Sequence, residues 1–179
     1  MRSVASGSAP AKLILSGEHA VVHGHLAIAV AIDRRTTVTL RRRPGPTMLG
    51  TAPFADARVL PALLAVLPEH GLQIDITTTI PVGRGLGSSA ALAVATVRAW
   101  AALEGQPCDF QRCHTDGFAI ERVFHGTPSG VDHAVSALAG AITYRRTEGQ
   151  VELAPLPCPA LQLVVLDTGS LGNTAELVA

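Results

Sequence analysis

A chain of 179 residues is long enough for one ordinary domain, and a hydrophobic fraction of 47% supplies an ample core. Its 14 basic and 14 acidic side chains give no net charge, which argues against a broad nucleic-acid-binding surface. No apolar run approaches the roughly 18 residues that a membrane span needs. The N-terminus MRSVASGSAPAKLIL also does not have the pattern of a signal peptide.

Two features of the composition bear on the chemistry. The three cysteines, Cys108, Cys113 and Cys158, do not have metal-like spacing, so we expect a reduced, cytoplasmic setting. Lys12 is the only lysine in a chain that otherwise uses arginine for its basic residues. Because lysine is a compact point charge on a flexible stem, its retention at one place marks that position for attention.

The first half of the chain predicts strands broken by turns, with one helix. Apolar runs and alternating patterns indicate the strands, and apolar residues at helical spacing indicate the helix. A long apolar and then alternating segment reads either as a strand pair or as one long bent strand. The predicted elements are a strand at Lys12–Leu15, this long segment at Leu26–Arg42 with a break at Arg43–Thr47, a short strand near Met48–Thr51, a helix at Ala55–Glu69 and a strand at Leu72–Ile80.

A glycine-rich turn precedes the most apolar helix of the chain. Gly83, Gly85 and Gly87 lead into Ser88 and Ser89, which open a helix predicted to run to about Leu103. The glycines and the helix start together favour an anion site, most naturally for phosphate. The alternative is a tight strand–helix turn with a serine cap. The pattern is neither a Walker loop nor a nucleophile elbow, and a second helix follows where a dinucleotide fold needs a strand.

The next predicted helix, Asp109–Phe124, carries an acidic residue on its apolar face. Glu121 falls inside the stripe formed by Phe110, Cys113 and Ile120. A carboxylate facing the core is costly unless it is paired or binds a cation. The sequence leaves two alternatives open, a salt bridge with an arginine and a metal or ligand role.

The last part of the chain mixes helices and strands. Thr127 and Pro128 look like the cap and first position of a helix that reaches about Leu138, with Asp132 near its start. The other predictions are a hairpin of Ala139–Tyr144 with Val151–Leu153, a buried strand at Leu161–Leu166 and a helix at Asn173–Ala179. The order of elements predicts an α+β fold.

The histidines near the N-terminus invite a metal interpretation. His19, His23 and His25 are closely spaced, but HxxxH alone is weak and the glutamate of HExxH is missing. Turn histidines are the favoured interpretation for His23 and His25. For His114 and His133 the sequence offers no partner.

Three separated segments resemble the GHMP kinase family, and within it the mevalonate kinase subfamily. PVGRGLGSSAA resembles the family's phosphate loop, APAKLILSGEHAVVHG its N-terminal motif, and HGTPSGVDHAVSALAGAITYRR its HGxPSGxDNAV segment. The resemblance covers about residues 5–179. It implies an N-terminal domain of the ribosomal protein S5 domain 2-like fold and ATP-dependent phosphorylation of mevalonate. Phosphomevalonate or sugar kinase activity is the nearest alternative, and a non-catalytic remnant or binding module is the alternative of another class.

The resemblance also implies roles for individual residues. Lys12 and Asp132 match the catalytic pair, with Asp132 as the base, and Glu18 and His19 match substrate-side positions. Ser89 and Glu121 match the Mg²⁺ ligands. The residues that match the ATP phosphate-binding loop are Gly85, Leu86, Gly87, Ser88 and Ser89.

Departures from the family pattern accompany the matches. Ala11 replaces the usual glycine before the lysine, His133 replaces the usual asparagine after the aspartate, and Leu92 stands where some members have a tyrosine. The glycine-rich third motif of a C-terminal domain is absent. We therefore expect residues 1–179 to form the N-terminal domain alone, with residues 168–179 beginning the connection to a missing C-terminal domain. The expected partners are ATP and mevalonate, with no nucleic acid or membrane, and a homodimer or a missing C-terminal half is a further possibility.

Overall fold

A computed structural model describes residues 2–18, 20–147 and 150–166. It contains one sheet and a layer of helices, as the α+β prediction requires. The strands are β1 (Val4–Ser16), β2 (Ala27–Pro46), β3 (Met48–Leu49), β4 (His70–Thr78), β5 (Ala141–Thr147) and β6 (Gln150–Pro155). The helices are α1 (Val59–Leu63), α2 (Ser88–Glu104), α3 (Phe110–His125) and α4 (Val131–Leu138), and a 3₁₀ turn spans Ala20–His23.

The long strand β2 is the centre of the sheet. It pairs with β1 along most of its length, from Ser16 opposite Ile28 to Val4 opposite Arg41. On its other side it pairs with β5 near its start and with β4 from Thr36 onward. The order is β3-β4-β2-β5-β6, antiparallel except for the β3–β4 pair. Of the two interpretations of this segment, the single long strand is therefore correct.

Helix α2 is the middle of the helical layer, as its nearly uniform apolar composition predicts. It packs against β1, β2, α3 and α4. Its only charged side chain before its last residue, Arg98, donates hydrogen bonds of 2.7 Å to Ser8 O on β1 and to Ala137 O on α4. These bonds satisfy a partly buried guanidinium and tie three elements together, which positions the ends of β1 and α4 beside the start of α2.

Three predicted boundaries in the first half of the chain are wrong. Strand β1 begins eight residues before Lys12, because its first residues pair with β2 from Val4 opposite Arg41 onward, and Gly7 leaves room for the backbone of α2. Strand β2 continues through the predicted break to Pro46, with a register irregularity that accommodates the prolines. Helix α1 begins only at Val59, because the Asp56 carboxylate accepts a 2.9 Å bond from the Arg58 N–H and holds a turn before it, and the helix ends at Leu63.

Two predictions in the second half are also wrong. Helix α4 begins at Val131 instead of the predicted Pro128, because the Ser129 carbonyl accepts a hydrogen bond from Tyr144 and the Pro128 carbonyl accepts one from Arg146. The predicted buried strand at 161–166 is neither paired nor buried, with Val164 89% and Leu166 86% exposed. An apolar run is buried only where another layer covers it, and no described element does so.

The remaining predictions agree with the structure or lie outside it. Helices α2 and α3 start and end within one residue of their predicted positions, and β5 and β6 form the predicted hairpin. The predicted helix at 173–179 and the domain connection at 168–179 lie outside the described residues. Within residues 2–18, 20–147 and 150–166, no helix is long and apolar enough to cross a membrane.

Candidate functional site

A cleft of about 1830 Å³ separates the start of α2 from the start of α4. Its walls are the glycine loop at 83–87, the C-terminal end of α3 and the segment at 127–132. Every candidate site residue that the structure describes lines it: Lys12, Glu18, Gly85, Leu86, Gly87, Ser88, Ser89, Glu121 and Asp132. His19 lies outside the described residues, and Glu18 is exposed at the cleft surface.

The glycine loop leaves the start of α2 open to the cleft. Gly87 is the N-cap residue, in the left-handed conformation with φ +69°, and no side chain caps the helix. The serine-capped turn considered from the sequence is therefore wrong. Because the first N–H groups of a helix have no intrahelical partner and carry the positive end of its dipole, this terminus can bind an anion.

Lys12 is packed against the same loop. Its backbone N–H donates a 3.0 Å hydrogen bond to Leu86 O, so β1 is tied directly to the turn. A Cβ added at Gly87 would lie 2.7 Å from Lys12 Cγ and 3.2 Å from its Cε. Gly87 is thus needed twice, for its backbone conformation and for the space that the lysine stem occupies.

We expect Gly87→Ala to destabilise the chain and to displace Lys12. The left-handed conformation alone costs an alanine about 1 kcal/mol, and the overlap with the lysine stem adds about 1–3 kcal/mol. Gly105→Ala is the matched control, because Gly105 has φ +71° but no atom within 4 Å of an added Cβ. Urea unfolding measures both variants. Equal losses of unfolding free energy would contradict the close approach of Lys12 to Gly87.

An ion pair joins the two sides of the cleft. Lys12 Nζ lies 3.1 Å from Asp132 Oδ1, with the lysine side chain 5% and the aspartate side chain 32% exposed. Lys12 comes from β1 and Asp132 from the first turn of α4, where the helix dipole favours the ionised carboxylate. The pair therefore places an acceptor oxygen and a cation side by side, with the carboxylate still accessible from the cleft.

Glu121 is the most unusual group in the cleft wall. It is 2% exposed, and its Oε1 has no hydrogen-bond partner among the described residues. Burial raises its pKa to about 7, and this effect is larger than the opposite effect of the nearby Ser89 hydroxyl, which lowers the pKa. The arginine salt bridge considered from the sequence is not formed within the described residues. A buried carboxylate oxygen without a donor is an incomplete environment that a cation would complete.

The Ser89 hydroxyl lies between Glu121 and a histidine at the end of α3. Its Oγ is 3.0 Å from His125 Nε2, and the hydroxyl is near enough to the Glu121 carboxylate to lower the pKa of that group. Burial lowers the pKa of His125, which favours the neutral imidazole. When Ser89 donates its single proton to the ionised Glu121, it accepts a hydrogen bond from the Nε2–H tautomer of His125. The hydrogen bond to His125 holds the hydroxyl beside Glu121.

Comparison with known proteins identifies the fold and the family. Residues 57–140 match the model of the GHMP kinases N terminal domain. A mevalonate kinase of Thermococcus sibiricus is 40% identical over 202 residues, which cover 96% of this chain and 60% of the relative. Residues 57–140 therefore belong to the family of GHMP kinase N-terminal domains. The chain spans about 60% of the length of the curated relatives that it matches.

Solved structures give the same fold for this chain. The crystal structure of L. major mevalonate kinase in complex with R-mevalonate matches with a TM-score of 0.75 and 30% identity, over 87% of this chain and 53% of that one. The Streptococcus pneumoniae phosphomevalonate kinase matches with a TM-score of 0.70 over 86% of this chain and 58% of that one. At 17% identity the second match shows the fold alone.

Sequence reasoning missed the residues that hold the turn before α4 in this chain. Tyr144, fully buried on β5, donates a 2.9 Å hydrogen bond to Ser129 O. Arg146 on the same strand donates to Pro128 O at 3.1 Å. Together they fix the segment from which Asp132 projects. The alternation of β5 indicates that Tyr144 faces the core, but no sequence pattern indicates which carbonyls these two side chains reach.

The histidine in place of the family's usual asparagine is a buried aromatic residue. His133 is fully buried, and neither ring nitrogen has a hydrogen-bond partner among the described residues. Its ring lies 4.6 Å from that of His114 and 5.6 Å from that of Phe118, centroid to centroid. Burial lowers the pKa of His133 to about 3 and also lowers the pKa of His114. His23 and His25, by contrast, are exposed.

We expect His133 to make the chain less stable in mild acid. Because its pKa falls from 6.5 in the unfolded chain to about 3 when folded, the unfolded chain binds the extra proton below pH 6.5. His133→Phe removes this proton uptake while retaining an aromatic ring. The difference in unfolding free energy between the variant and wild type should shift by about 2 kcal/mol in favour of the variant when the pH is lowered from 7.5 to 5. Urea unfolding at the two pH values measures it, and a pH-independent difference would contradict the burial of His133.

Proposed function

We propose that this chain supplies the nucleotide- and acceptor-binding part of a mevalonate kinase. The proposed reaction transfers the γ-phosphoryl group of ATP to the 5-hydroxyl of mevalonate. The observation that carries the proposal is the ion pair between Lys12 Nζ and Asp132 Oδ1, 3.1 Å long, in the cleft onto which the uncapped start of α2 opens. Phosphoryl transfer needs a phosphate cradle and a group that positions the attacking hydroxyl.

The glycine loop is the proposed ATP phosphate site. The N–H groups of Ser88 and Ser89 begin a helix of 17 residues whose N-cap, Gly87, has no side chain that could compete with a phosphate. Gly85 and Leu86 complete the turn that lines the cleft. A triphosphate at this position has the positive end of the α2 dipole facing its negative charge.

Glu121 and Ser89 are the proposed Mg²⁺ ligands. The orphaned Oε1 of Glu121 and the neighbouring Ser89 hydroxyl fit a hard cation that prefers oxygen. Two protein ligands suffice, because Mg²⁺ usually keeps several waters and the substrate phosphates in its coordination shell. Accordingly, no cluster of three His, Cys, Asp or Glu side chains in the described ranges could hold a metal by itself. When bound, the ion neutralises charge on the phosphates.

Asp132 and Lys12 are the proposed groups at the acceptor. As the 5-hydroxyl oxygen bonds to the γ-phosphorus, the bond from that phosphorus to the β–γ bridging oxygen breaks, and ADP leaves. Asp132 receives the hydroxyl proton, and the Lys12 ammonium stabilises the negative charge on the attacking oxygen. His125 holds the Ser89 hydroxyl on the phosphate side, 3.0 Å away.

The choice of mevalonate rests on the relatives and on motif residues in this chain. The curated relatives at 40% identity are named mevalonate kinases, and the L. major structure contains R-mevalonate. Glu18 lines the same cleft as Lys12, and His19 is its neighbour in the motif GEHAVVHG. We propose both as substrate-side residues.

An acceptor panel tests the proposal. ADP release is measured with mevalonate, phosphomevalonate, galactose and homoserine, by a coupled assay with MgATP. The chain is assayed alone and after extension with the corresponding C-terminal segment of the Thermococcus sibiricus relative. Turnover with mevalonate is expected from the extended chain. Turnover with another acceptor alone would overturn the substrate assignment, and no turnover from a folded extended chain would favour a non-catalytic remnant.

A further inference from the structure

We propose that Cys108 and Cys113 form a modification site, at which a small disulfide oxidises the two thiols to an intramolecular disulfide. Both cysteines are free, and their sulfur atoms lie 3.3 Å apart. The site is at the start of α3, at the other end of that helix from Glu121. The third cysteine, Cys158, is exposed and has no such partner.

The position of the pair in the helix explains why the two sulfurs meet. Asp109 is the N-cap of α3, and its carboxylate accepts a 2.9 Å bond from the Arg112 N–H. Cys108 is therefore the residue before the cap, and Cys113 is the fourth residue of the helix. These two positions normally hold the apolar contact called the hydrophobic staple, which fixes how the chain enters the helix. In this chain the staple is made of two thiols.

The staple geometry favours closure of the bond. A disulfide has an S–S length of about 2.05 Å, so the sulfurs need to approach each other by about 1.3 Å. Cys113 is 1% exposed and belongs to the main core cluster, whereas Cys108 is only partly buried at its edge. A reagent from solvent therefore reaches Cys108 first, and Cys113 is already placed to displace it.

The reaction balances with oxidised glutathione as the oxidant. The Cys108 thiolate attacks one glutathione sulfur, which forms a mixed disulfide and releases one glutathione thiolate. Cys113, as thiolate, then attacks the Cys108 sulfur, forms the internal S–S bond and releases the second. The two thiol protons pass to the released glutathione, so two protein thiols and one oxidised glutathione give one protein disulfide and two reduced glutathione molecules.

The environment of Cys108 sets the conditions for this reaction. Burial, together with the hydrogen bond to Cys113, raises the pKa of the Cys108 thiol to about 12. Since the thiolate is the nucleophile, the first step is slow near neutral pH and accelerates as the pH rises. The proposal does not depend on the proposed kinase activity.

Peptide mapping tests the proposal. The chain is incubated with excess oxidised glutathione at pH 8.5, blocked with iodoacetamide and cleaved with trypsin. Cleavage after Arg98, Arg112 and Arg122 places Cys108 in residues 99–112 and Cys113 in residues 113–122. We expect these two peptides to be disulfide-linked, with the chain lighter by about 2 Da after allowing for any glutathione on Cys158. The melting temperature should rise by about 5 °C.

Three variants make the outcome decisive. Cys158→Ser should leave the linked peptide unchanged. Cys113→Ser should retain glutathione on Cys108, because nothing displaces it, and Cys108→Ser should leave Cys113 unmodified while the chain stays folded by circular dichroism. The proposal is overturned if wild-type Cys108 keeps its glutathione, if both thiols are still alkylated after oxidation, or if Cys158 is the residue that becomes linked.

Discussion

Replacing Asp132 with asparagine is expected to lower the rate of the proposed mevalonate phosphorylation by 10²- to 10⁴-fold, the usual contribution of a general base. The asparagine keeps the shape of the side chain but cannot accept the hydroxyl proton. MgATP binding, measured by calorimetry, should change little, because the phosphate loop and Glu121 are untouched. The rate is measured by ADP release from the C-terminally extended chain.

Asp116→Asn is the matched control for this substitution. Asp116 is a partly exposed aspartate paired with Arg112 at 3.6 Å on the surface of α3, and it does not line the cleft. Its loss should leave the rate within about twofold, because exposed ion pairs contribute little. A rate near that of wild type for Asp132→Asn would refute the assignment of Asp132 as the base.

Replacing Glu121 with glutamine is expected to have two effects of opposite sign. Without metal, the variant should be more stable than wild type at pH 8.5, by an amount on the order of 3 kcal/mol at most. With Mg²⁺ and ATP, it should lose the stabilisation that the ligands give wild type, because the amide is a poorer ligand for a hard cation. A simple structural role for Glu121 does not produce this reversal.

The pH dependence of the Glu121 effect follows from its raised pKa. Folding raises the pKa from 4.5 to about 7, so the folded chain holds the proton between these values and stability falls as the pH rises through them. The gain from Glu121→Gln should therefore be small at pH 4.5 and complete above pH 7. Urea unfolding in EDTA measures it. A pH-independent gain, or unchanged Mg²⁺ dependence of ATP binding, would contradict the proposed role.

Glu121 and His133 act on stability in opposite directions in mild acid. Between pH 4.5 and 6.5 the folded chain binds a proton at Glu121, whereas the unfolded chain binds one at His133. The two proton uptakes nearly cancel, so the wild-type chain is expected to show a shallow pH dependence in this range. His133→Phe should therefore reveal the pH dependence of stability that is due to Glu121, and Glu121→Gln should reveal the one that is due to His133.

The elements that can be predicted well from the sequence are those in which every side chain indicates the same degree of burial. Helix α2 is apolar on every side and is buried on nearly every side. The placement of Glu121 among apolar residues indicated an unusual carboxylate before any fold was known, and the structure buries it. A local pattern was sufficient in both cases, because helical periodicity alone determines which residues share a face.

The elements that sequence predicted poorly depend on contacts between distant segments. The start of α4 is set by Tyr144 and Arg146 on a later strand, and the length of β1 depends on its pairing with β2. The pairing of Lys12 with Asp132 joins β1 to α4, and spacing along the chain cannot reveal it. The resemblance to GHMP kinases indicated that Lys12 pairs with Asp132, and the structure adds the distance between them and their position in the cleft.

The most direct test of a single phosphoryl-transfer site is a crystal structure of the chain with Mg²⁺ and a non-hydrolysable ATP analogue. We expect the triphosphate at the N–H groups of Ser88 and Ser89, and the metal about 2.1 Å from an oxygen of Glu121 and from the Ser89 hydroxyl. The Lys12–Asp132 pair should face the γ-phosphate across the cleft. A nucleotide bound elsewhere, or a metal that does not contact Glu121, would contradict the proposed site.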